Sequence, residues 1–197
     1  AKGFVGAAFD GRYVYLVPFG FSGTSYHGIV ARYDTQAGFG TSQSWSTFDV
    51  TTVNAGAKGF AGAAFDGRYI YLVPDNNGAA HGIVARYDTR AGFGASQSWS
   101  TFDVSTVNPG AKGFDGAAFD GRHLYLVPFD SGAAHGIVAR YDTQANFATS
   151  LAWSTFDVST VNPGAKGFAG AAFDGRYVYL VPYDDGESHG IVARFDA

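Results

Sequence analysis

The chain has 197 residues, of which 46% are hydrophobic, 17% aromatic and only 15% charged; it has the means to build a sizeable core and does not read as disordered. The net charge is −4, with no basic run, which argues against nucleic acid and acidic membrane surfaces as partners. Cysteine is absent, which excludes disulfides and thiolate chemistry, and no apolar run approaches the ~18 residues of a membrane span.

The chain opens with "AKGFVGAAFDGRYVYLVP" at Ala1, and close copies begin at Ala57, Ala111 and Ala165. Such self-similarity indicates tandem structural units, here residues 1–56, 57–110, 111–164 and 165–197 of a single domain. The first unit is two residues longer, in the loop "FGFSGTSY".

Each unit predicts four strands. Strand A, "GFVGAAFD", is small and apolar. Strand B, "RYVYLVP", alternates Tyr13, Tyr15 and Val17 with Val14 and Leu16. Strand C, "HGIVARYD", alternates Ile29, Ala31 and Tyr33 with Val30 and Arg32, and strand D, "SWSTFDVTTV", carries Trp45 and Phe48. Period-two alternation in segments rich in aromatic and β-branched residues marks strands. Asp10-Gly11 between A and B predicts a type I′ hairpin with those two residues at its tip. No segment has useful helical periodicity.

Four-stranded units in tandem indicate an all-β, four-bladed β-propeller, with the glycine and alanine of "GAAF" crowded at the axis and aromatics filling the space between blades. "GAAFDGRYVYLVP", "IVARYDT" and "SWSTFDV" together resemble kelch-type propeller repeats along the whole chain, although the glycine pair of kelch units is replaced by Val17-Pro18 and its copies. The resemblance implies a binding module, a scaffold or, in a few cases, an oxidase.

The fourth unit stops at "ARFDA" and carries no strand D. Three closures compete: a ring completed by a three-stranded last blade, a neighbouring chain covering the open edge, or a piece of a longer array. We expect the first two together.

The histidines His27, His81, His135 and His189 open strand C in every unit. As third strands they lie too far apart to share one zinc ion. They serve either as structural bonds within each blade or as ligand contacts. In a propeller the B–C loops and D–A connections share a face, which gathers these histidines with Asn54, Asn108, Asn162, Lys58, Lys112, Lys166, Tyr26, Asp75, Asn76, Asp130 and Asp184. Rings beside amide, carboxylate and imidazole groups suit sugars, and this set is the candidate ligand site. Asp10, Asp66, Asp120 and Asp174 read as turn residues, and Arg32 with Asp34 as a bond within the blade.

Acids and bases recur in every unit, whereas a catalytic set is a single asymmetric constellation. We therefore expect no enzyme, no cofactor and no metal site. The leading expectation is a secreted or extracellular, lectin-like binding module with glycans as partners, its Ala1 exposed by removal of a methionine or leader. The alternative is a structural or self-assembling propeller scaffold, natural or engineered, that forms homo-oligomers through the open edge of the last blade. A glycan-processing hydrolase is third.

Overall fold

The computed structural model describes residues 2–21 and 25–197; the tip of the first B–C loop, residues 22–24, lies outside the described residues. The strands are β1 (Phe4–Phe9), β2 (Tyr13–Pro18), β3 (Gly20–Phe21), β4 (Ser25–Tyr26), β5 (Ile29–Asp34) and β6 (Trp45–Asp49) in unit one. Unit two holds β7 (Phe60–Phe65), β8 (Tyr69–Pro74), β9 (Ile83–Asp88) and β10 (Trp99–Asp103). Unit three holds β11 (Phe114–Phe119), β12 (His123–Pro128), β13 (Ile137–Asp142) and β14 (Trp153–Asp157). Unit four holds β15 (Phe168–Phe173), β16 (Tyr177–Pro182) and β17 (Ala193–Asp196).

Units one to three each form one antiparallel four-stranded sheet, and unit four a three-stranded one. This is a four-bladed β-propeller whose last blade lacks its outer strand. The extra residues of unit one form the small β3–β4 hairpin, where the later units have only a single bridge such as Asn76 to Ala80.

The A–B turn forms one residue later than its sequence suggests. Phe9 lies opposite Val14, so the tip is Gly11-Arg12, with Gly11 at φ +101°. The Asp10 carboxylate closes the turn: Oδ1 accepts the N–H of Arg12 (2.8 Å) and of Tyr13 (2.6 Å). Its other oxygen accepts the Tyr15 hydroxyl proton (2.7 Å). Arg12 then reaches Asp34 at the end of β5, with Nη2 to Oδ2 at 2.7 Å. The pairing expected of Arg32 with Asp34 is therefore corrected. Arg32 instead donates to Ser46 Oγ and lies over the Tyr13 and Phe93 rings.

Three cores fill the three blade junctions. In the first, Tyr15, Val17, Val30 and Phe48 of blade one pack against Phe60, Leu72, Tyr87, Phe93 and Trp99 of blade two. The second and third repeat this with the next blades. At the axis, a bulge after the first residue of each inner strand brings glycines together. Gly62 has φ +104°, and a Cβ there would lie 3.1 Å from the Gly116 Cα, so only glycine fits both the backbone angle and the approach.

The ring does not close. β1 packs beside β7, β7 beside β11 and β11 beside β15, but β15 has no such packing on β1 among the described residues. A Cβ on Gly170 would meet nothing within 4 Å. Of the three closures weighed above, the self-completed ring is thus overturned: two outward faces remain without a fourth junction. Phe39 of blade one is 71% exposed, whereas its counterparts Phe93 and Phe147 are 4% and 1% exposed. On blade four, Val192 is 59% exposed where Val84 and Val30 are fully buried.

Candidate functional site

The B–C loops and D–A connections do meet on one face. The Gly59 N–H donates to the His27 carbonyl, and the Gly59 carbonyl accepts the N–H groups of Asp75 and Asn76. The structure thus brings together the segments that carry the candidate residues, and each has a defined place.

In all four histidines both ring nitrogens are engaged within the fold. Nε2 donates to the carbonyl of Gly3, Gly59, Gly113 or Gly167, and Nδ1 accepts the N–H of the isoleucine two residues on. Facing a carbonyl on one side and an amide N–H on the other, the ring must be neutral with its proton on Nε2. Burial pushes the pKa of His81 and His135 down from the ordinary value and favours the same state. A ligand there would have to compete with these bonds.

Asn54 and Asn108 tie adjacent blades. Each Nδ2 donates to a threonine hydroxyl on the next blade's outer strand, Thr101 and Thr155, at 3.2 and 3.1 Å. Asn162 retains the bond to the Gly164 N–H, but its blade precedes one with no outer strand to supply a threonine. The backbone N–H groups of Lys58, Lys112 and Lys166 close the D–A turns on Gly56, Gly110 and Gly164. Asn76, Asp130 and Asp184 each accept the N–H of the glycine two residues on and so form the loop tips. The Tyr26 ring stands edge-on to Phe19 at 5.4 Å. Asp75 is pushed up to about 7 by burial, with Asp115 and Asp130 adding repulsion.

Among the described residues no group of three or more His, Asp or Glu is arranged to hold a metal ion. The turn carboxylates are engaged in the same way in every blade, Asp66, Asp120 and Asp174 accepting from Tyr71, Tyr125 and Tyr179 as Asp10 does from Tyr15.

Two clefts lie at the junction of blades three and four. One, of about 360 Å³, opens on the loop face between Phe129, Asp130 and Ala134 of blade three and Asp184 and Asp185 of blade four. The other, of about 440 Å³, lies at the outer rim, lined by Tyr125, Val138, Arg140, Ser154, Thr155, Phe156, Phe195 and Asp196. Residues at this rim cleft were not among the sequence-level candidates. The missing fourth "SWSTFDV" was visible, but which side chains it would uncover was not, because those belong to blade three. Phe48 and Phe102 stack on Trp99 and Trp153 of the following blade at 5.0 and 5.2 Å, both at 7°. Phe156, next in the series, has no tryptophan to follow it and is 56% exposed.

No protein-family model and no curated protein matches the chain. The resemblance to kelch units is accordingly one of strand pattern. Among solved structures, the chain is similar to the computationally designed Ika4 protein, with a TM-score of 0.56 and 12% identity, over 99% of this chain and 91% of that one. At this identity the likeness concerns the fold alone. The computationally designed Ika8 protein aligns over 98% of this chain and 71% of its own, with a TM-score of 0.35 and 12% identity.

Proposed function

We propose that this protein is a non-enzymatic structural repeat scaffold that joins further blades through its unpaired ends, the open last blade of one copy against the first blade of another. The observation that carries this reading is the fourth junction that is absent while both of its halves are present. Blade one offers Val14, Leu16, Tyr33, Phe39 and Trp45, the counterparts of residues buried in blades two and three. Blade four offers Val181 and Val192, counterparts of Val17 and Val30. The internal junctions supply the template for how such faces fit, and a head-to-tail contact of this kind builds a closed ring or an open filament. Recurrence of the same acids and bases in each blade, bonded alike, supports the non-enzymatic reading.

Light scattering across a concentration series tests it. The chain should have a mass of two or more copies at high concentration, and Val192→Lys should return it to one. A strictly monomeric wild-type chain at high concentration would overturn the proposal.

A further inference from the structure

We infer that the rim cleft on blades three and four is a socket for a turn-and-strand segment of a partner polypeptide that carries phenylalanine and tryptophan six positions apart, in the manner of the outer strands and the turns that lead into them. This surface is distinct from the two outward faces above, so the inference goes beyond the scaffold reading.

The two internal copies of the socket are occupied, and they define the occupant. At the first junction Phe93 and Trp99 enter from blade two: Phe93 lies 6.0 Å from Tyr15, under Arg32, and Trp99 stacks on Phe48. At the second, Phe147 and Trp153 meet Tyr71, Arg86 and Phe102 in the same way. At the third junction the receiving residues are Tyr125, Arg140 and Phe156. Phe195 lies 5.2 Å from Tyr125, as Tyr87 lies 5.8 Å from Tyr15 in the occupied first socket, and the rest of the third socket is an open cleft.

The backbone is also ready. β17 has an unpaired edge, and its counterparts β9 and β13 bond an outer strand in register, Trp99 opposite Tyr87 and Phe102 opposite Val84. The same register would set the incoming tryptophan opposite Phe195. An open edge of this kind accepts a strand by main-chain bonding, with pockets selecting alternate side chains. Gly190 points the same way. At its counterparts Gly82 and Gly136 a Cβ would meet the carbonyl of Ala111 or Ala165 at 2.7 Å, and Asp103 or Asp157 at the end of the outer strand at 2.8 or 2.7 Å. Gly190 has the same space with nothing within 4 Å.

Phe195 relaxes what an occupant must supply. The tyrosines at this position donate to a carbonyl of their own C–D loop, Tyr87 to Ala91 and Tyr141 to Ala145. Unit four has phenylalanine, so an occupant need not place a carbonyl at that position.

The test uses a labelled peptide copying residues 89–106 and fluorescence anisotropy with the full chain carrying Phe39→Lys, which removes head-to-tail association from the readout at the blade-one face and leaves the β17 edge unaltered. Saturable binding is expected. Alanine in place of the peptide's tryptophan, or Phe156→Ala in the protein, should weaken it by about tenfold or more. Phe156 is already exposed, so its truncation leaves the fold intact, which circular dichroism checks. No saturable binding, or equal binding by the alanine peptide or by the Phe156→Ala chain, would overturn the inference. If the Phe39→Lys chain still self-associates, and Phe156→Ala or added peptide abolishes that association, the occupant is a second copy and the partner is wrong.

Discussion

Asp75 stands where the other units have Phe19, Phe129 and Tyr183. The backbone bond of this position, to the carbonyl of Gly3, Gly59, Gly113 or Gly167, recurs in every unit, so a carboxylate stands where the other units have a ring, and its desolvation raises the pKa to about 7. The linkage has a definite sign. Between the ordinary value of 3.8 and about 7, the folded state holds a proton that the unfolded state has released, so this group's contribution falls as pH rises through that window. His81 and His135 act in the opposite direction, since their folded pKa values are depressed and stability is lost as pH falls below their unfolded value near 6.5. The difference between wild type and Asp75→Asn isolates the carboxylate. Thermal melts at pH 4 and pH 8 should show the variant gaining over wild type only at the higher pH. Asp75→Phe, which restores the ring of the other units, should gain at both; an unchanged Tm at pH 8 in both variants would reject this account.

At the scale of the strand, identical sequence has unequal worth. Trp99 and Trp153 are each 5% exposed and stacked on the previous blade's phenylalanine. Trp45 has the same neighbours within its blade, Tyr33 at 4.9 Å and Phe39 at 5.8 Å, but no preceding blade. Trp99→Ala should cost about 3–5 kcal/mol, and Trp45→Ala should cost less by at least the stacked pair, about 1 kcal/mol. Urea denaturation of the two variants as monomers, in the Val192→Lys background, measures the difference, and equal losses would contradict the packing described. Strand order and identity were legible because alternation and turn residues are local. The A–B turn was misplaced by one residue, since the Asp10 side chain, not its carbonyl, accepts the N–H groups of Arg12 and Tyr13, and alternation does not report which oxygen is used.

For the whole molecule, the consequential feature is the absent fourth junction. Association through the end faces involves only folded chains, so the Tm of the wild-type chain should rise with protein concentration by mass action while that of Val192→Lys should not. Adding residues 89–106 after Ala197 should raise the Tm of the Phe39→Lys chain, and the same addition with alanine for tryptophan should not. If neither addition changes the Tm, the rim cleft does not accept an outer strand.

The repeat, its four strands, the asymmetry of the last unit and the shared loop face all follow from the sequence alone, because each depends on residue spacing along a single unit. The segments that carry the candidate residues meet on that face, yet the bonds that engage the histidines at both ring nitrogens depend on where Gly3, Gly59, Gly113 and Gly167 fall in three dimensions. Closure was beyond the sequence for a similar reason. Near-identical units specify how one blade meets the next, but the angle accumulated over successive junctions is a property of packed side chains and of the glycine contacts at the axis. Only the tertiary structure shows that four blades leave the arc open, and that the missing outer strand of unit four uncovers Phe156 and Arg140 of unit three.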